Sequence, residues 1–92
     1  MEPILRGLVE KSIDEAMAPE NIKTTIAFAE KLRPMVASAD DMAFGFVIGN
    51  IFGLFADRMV FVYKRLPTGA ELDDFIKVVL RRAPEIKKAC GI

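Results

Sequence analysis

The chain has 92 residues, 52% of them apolar and 28% charged, and its 13 basic residues balance 13 acidic ones. A length of this order builds one hydrophobic core, and a domain so small buries only somewhat more than ~60% of the surface its unfolded chain exposes. The composition excludes a disordered tail, and the zero net charge excludes the strong positive field on which nonspecific nucleic-acid binding rests.

From Pro3 to Met17 the residues Ile4, Leu5, Leu8, Val9, Ile13, Ala16 and Met17 recur at three and four, which predicts a helix with one apolar face. The segment APEN breaks it. A second helix is expected from Pro19 or Glu20, with Ile22, Ile26, Ala29 and Leu32 inward, ending near Pro34, because proline disfavours helical geometry in the residue before it. Ser38, Asp40 and Asp41 then supply a cap and a favourable charge for a third helix start.

Asp41 to Leu66 contains no proline, and the next start signal is TGAE at Thr68 to Glu71. A helix through all of this stretch is ~39 Å long at ~1.5 Å per residue. A fourth helix is expected from Ala70 to Ala83, with Leu72, Phe75, Ile76, Val79, Leu80 and Ala83 on one stripe. Pro84 should bend it or start a short terminal turn ending at Gly91. The expected fold is therefore a single all-α domain over residues 1–92, about four helices around a long central apolar one.

The third segment admits two other readings. Residues 43–63 hold enough β-branched and aromatic residues for a β-hairpin turning at Gly49-Asn50, which would make the fold α+β; strands apolar on both faces and an isolated hairpin count against it. A membrane span is limited to Met42–Ala56 before Asp57 and Arg58 intervene, short of the ~20 residues a bilayer core requires. The amphipathic neighbours also favour a reading without membrane.

As a helix, the segment places Gly45, Gly49, Gly53 and Ala56 on one narrow strip, with Phe52 nearby. Its polar side carries Asn50, Asp57 and Arg58 together with Phe46, Val47, Leu54 and Phe61. Each mid-helix glycine costs about 0.8 to 1 kcal/mol against alanine, so the three require an offsetting gain, which a second backbone approaching the bare strip supplies. That backbone belongs either to another helix of the chain or to a second copy. The dimer reading, a crossing at Gly45, Gly49, Gly53, Ala56 and Phe52 with Phe46, Leu54 and Phe61 as exposed apolar contacts, is preferred because three short helices offer little cover for the long one.

Charge is unevenly spread. Residues 1–57 hold five basic against nine acidic residues, and 58–92 hold eight against four. This asymmetry aligns two copies, holds the last helix against the first, or presents Arg81, Arg82, Lys87 and Lys88 to an acidic protein partner. No aromatic residue interleaves with that basic set, which argues against nucleic acid; a nucleic-acid-associated regulator using this patch remains the alternative function.

Catalytic chemistry has little to work with. The chain has no histidine, no phosphate-cradling motif and no metal-ligand spacing, so no enzyme, cofactor or metal is expected; an all-carboxylate metal enzyme is the second alternative. Cys90, near Lys87 and Lys88, reads as a plain thiol. A lone cysteine and a start without signal-peptide features point to the cytoplasm. The functional expectation is a small non-catalytic interaction module or structural subunit that forms a homodimer.

Overall fold

Three side-chain caps and one first-turn proline start the four helices. In a computed structural model describing residues 1–92, the chain forms α1 (Pro3–Ala16), α2 (Pro19–Lys31), α3 (Ala39–Tyr63) and α4 (Gly69–Ala89), with no strand. The Glu2 carboxylate accepts from the Ile4 and Leu5 amides at 2.9 and 3.2 Å, satisfying two of the donors that a helix start leaves open. Pro19 opens α2, where its missing N–H is no loss. Ser38 Oγ accepts from the Asp41 amide at 3.1 Å, and Asp40 and Asp41 complement the positive end of α3.

At α4, Thr68 and Glu71 form a reciprocal capping box: the Glu71 amide donates to Thr68 Oγ1 at 3.2 Å, and the Thr68 amide donates to Glu71 Oε1 at 2.9 Å. Arg65 clamps the same carboxylate with two bonds of 2.6 and 2.9 Å. The Arg65 guanidinium, with the Thr68 amide behind it, holds the Glu71 carboxyl down to about 2. A folded-state pKa below the unfolded value of about 4.3 stabilises the fold above the unfolded value, and that contribution is lost as pH falls through the folded one. Thermal midpoints should therefore decline between about pH 4.5 and pH 2, and Glu71→Gln should flatten part of that decline; an unchanged slope in the variant would remove Glu71 from the acid response.

Two boundaries differ from expectation. α4 continues to Ala89 instead of ending at Ala83, running through Pro84. Pro84 removes the hydrogen bond to the carbonyl four residues back, that of Leu80, on a stretch where the Leu80 residue is exposed. The extra turn brings Ile86, fully buried, and Cys90 into the core, and this burial outweighs the local penalty. The helix then closes as a Schellman motif, Gly91 at φ 78° donating to Lys88 O and Ile92 donating to Lys87 O, both at 3.0 Å. α3 stops at Tyr63 rather than Leu66, with Lys64 in the left-handed conformation at φ 60°.

The hairpin alternative for residues 43–63 is corrected: the whole segment lies within α3. Ala39, Ala43, Val47, Ile51, Phe55 and Met59, each four residues after the last, form one fully buried ridge packed against the apolar faces of the other helices. Leu5, Val9 and Ile13 of α1, Ile22 of α2, and Phe75, Val78, Val79 and Ile86 of α4 complete the core. Val47, expected on the polar side, is 1% exposed, and Leu54 is half-buried against the core. The Leu54 shift has a visible cause: α1 covers the flank of α3 that carries Arg58 and Leu54, as the Arg58 contacts with Ser12 and Glu15 show.

α3 touches each of the other helices, but all three lie over one side of it. The surface area of 5808 Å² exceeds the roughly 5,300 Å² typical of a folded chain of this mass. The radius of gyration, 13.7 Å, likewise exceeds the ~12 Å typical of this length. The long axis of 40 Å follows α3, whose 25 residues span ~37 Å.

Candidate interaction surface

Opposite the buried ridge, the back of α3 is open. Gly45, Gly49 and Gly53 are exposed, and a Cβ built on any of them would meet no atom within 4 Å. No helix of the same chain lies against the glycine strip. Ala56 is half-buried beside it, while Phe52 and Val60 are 43% and 46% exposed along it.

Aromatic contacts with α2 and α4 flank α3 on either side of the strip. On the α2 side, Phe28 meets Phe46 edge to face with ring centroids 5.1 Å apart. On the α4 side, Phe75 stacks on Phe55 at 4.9 Å and meets Phe52 edge-on at 5.9 Å. Beyond Phe75, Ile76 and Leu80 are 51% and 66% exposed. The sequence reading set these two on the inward stripe of α4; the apolar arc there is wider than the contact α4 makes. Phe61 is exposed, whereas Phe46 and Leu54, expected to be exposed with it, are half-buried; Phe61 lies beside a groove of about 540 Å³ bounded by Leu8, Lys11, Leu54 and Val62. A second groove, of about 460 Å³, runs along Gly49 and Gly53 towards Glu15, Asn21 and Asp57.

The charges sort into structural and free sets. Arg58, carried on the apolar helix, donates to Ser12 Oγ at 3.0 Å and pairs with Glu15 of α1. Ser12 is fully buried and itself donates to Leu8 O at 2.7 Å, so this polar group inside the core is satisfied. Arg82 bridges α4 to α1 through Glu10 at 3.1 Å and Asp14 at 2.8 Å, and pairs with Glu85 of its own helix at 2.7 Å. These bonds hold the guanidinium well above its ordinary pKa and the Glu85 carboxyl below its own. The charge asymmetry thus ties the last helix to the first.

Of the basic set, Arg82 is consumed in that tie, while Arg81, Lys87 and Lys88 are exposed, with the Lys87 ammonium 5.6 Å from the Phe44 ring centroid. Tyr63 donates to Glu2 at 2.8 Å, joining the end of α3 to the start of α1 and raising the Tyr63 pKa. Cys90 is buried, which pushes its thiol pKa up. Its two lysine neighbours do not reverse that effect. No three acidic, cysteine or histidine side chains gather in a metal-binding arrangement.

By length and composition α3 meets the requirement for crossing a bilayer, and 22% of its most apolar 18-residue window is buried. Comparison with known proteins finds no matching family model, no matching curated protein and no matching solved structure. The class is therefore given by architecture: an all-α bundle with its longest helix covered on one side and bare on the other.

Proposed function

We propose that the protein is a small non-catalytic interaction module that works as a homodimer, two copies meeting through the open back of α3. The observation that carries this reading is the location of the glycines. Gly45, Gly49 and Gly53 together cost the helix roughly 2 to 3 kcal/mol, and nothing within the chain approaches them to offset it. A second backbone seated on the strip supplies the offset, and the exposed Phe52 and Val60 along it supply apolar area.

An aqueous, cytoplasmic setting fits the same features. Asp57 and Asn50 are exposed on α3, Arg58 is tied to a polar group of α1, and Cys90 is unpaired. A lipid-facing α3 would carry Asp57 into hydrocarbon at a cost of a few kcal/mol. Sedimentation of the wild type and of Gly49→Leu tests the proposal. The wild type should be a dimer in detergent-free buffer, and the variant a folded monomer, since the monomer leaves open space at Gly49. A wild type that stays monomeric across micromolar concentrations overturns it.

A further inference from the structure

α4 leaves one flank uncovered. Its side facing α1 is occupied by the Arg82 bridge to Glu10 and Asp14. The flank turned from α1 carries the exposed Ile76 and Leu80, with Asp73 near the start of the helix and Lys87 near its end. Asp73 and Lys87 are both exposed and neither joins an ion pair within the chain.

Two contacts set the level of α4 along α3. Phe75 packs on Phe52 and Phe55, and Lys87 lies over Phe44. α4 therefore runs antiparallel to α3, and the level of Gly49 falls near Val79 and Leu80. α2 lies on the other side of the glycine strip, as the Phe28–Phe46 contact shows.

Symmetry leaves two ways for a second copy to meet this face. If the two α3 helices cross in parallel, a two-fold axis sets α4 of each copy over α2 of the other. The basic end of α4, Lys87 and Lys88, then confronts the exposed Lys31. If they cross antiparallel, α4 meets α4 in reverse about Val79 and Leu80. Ile76 then faces the Leu80–Ala83 stretch, and Asp73 of each copy stands at the level of Lys87 of the other, twice per dimer.

We infer that the second copy docks in the antiparallel sense, with the two α4 flanks meeting and Asp73 of each copy paired with Lys87 of the other. This rests on the self-association proposed above and adds its orientation. A stable interface needs about 800 Å² per partner, more than a narrow strip on one helix offers, and the α4 flank extends it. Charge complementarity selects the orientation.

The test is a charge swap read by sedimentation equilibrium of the full chain at low salt. Asp73→Lys and Lys87→Glu should each raise the dimer Kd roughly three- to tenfold, since each turns two attractive exposed pairs into repulsive ones. The double variant should return to within about twofold of wild type, and an equimolar mixture of the two single variants should form heterodimers. A dimeric wild type whose single variants are unaffected, or whose double variant is not rescued, overturns the orientation and leaves self-association standing. A monomeric wild type overturns both.

Discussion

Replacing Phe55 by alanine should lower the unfolding free energy by about 3 to 5 kcal/mol. Phe55 is fully buried at the centre of the α3 ridge and stacks on Phe75 at 4.9 Å. Truncation leaves a cavity between α3 and α4 that helices tied by the Arg58 and Arg82 bridges do not readily collapse to fill. A chain of this length has about 5 to 14 kcal/mol of stability to lose, so the variant should be close to unfolding at room temperature. Urea denaturation followed by far-UV circular dichroism measures the effect. A loss below about 1 kcal/mol would show that this ridge does not organise the core.

The opposite face of the same helix should respond in the opposite sense. Changing Gly45, Gly49 and Gly53 together to alanine removes three mid-helix penalties of about 0.8 to 1 kcal/mol each. The added methyl groups meet open space in the single chain, so no clash offsets the gain. The monomer should gain roughly 2 to 3 kcal/mol, a rise of about 10 to 20 °C in thermal midpoint for a domain of this size. The same methyl groups push a second backbone away, so self-association should weaken. Thermal unfolding across a dilution series separates the two effects: the wild-type midpoint should fall on dilution, whereas the variant's should be higher at the lowest concentrations and vary less. A less stable variant monomer would mean that the glycines serve a contact within the chain.

The contrast between these faces marks the limit of what the residues alone disclose. Helix starts were legible because caps are local chemistry: Ser38 before Asp40 and Asp41, and Thr68 with Glu71, act within one turn. The orientation of α3 was not legible, because a helix apolar nearly all round gives periodicity no polar side to turn outward. Val47 was thus set beside Asn50, although it belongs with Ile51 and Phe55. Pro84 misled for a related reason: its local penalty is plain, while the burial of Ile86 and Cys90 that outweighs it depends on the other helices.

The candidate surface was legible in part. Four-residue spacing alone placed Gly45, Gly49 and Gly53 on one strip. Their openness depends on α1, α2 and α4 gathering on the far side of α3, which no spacing within α3 encodes. Ile76 and Leu80 continue the stripe of Phe75 and Val79 in sequence, so spacing alone does not separate the exposed pair from the buried one. Arg82 read as part of a basic patch because its partners Glu10 and Asp14 lie far away in the chain.

Self-association through the back of α3 is the claim on which the functional reading stands, and sedimentation equilibrium in detergent-free buffer tests it most directly. The wild-type chain should sediment as a dimer at micromolar concentration, and Gly49→Leu should sediment as a monomer with undiminished helical circular dichroism. A wild type that remains monomeric throughout that range, or a Gly49→Leu variant that dimerises as the wild type does, would contradict the account.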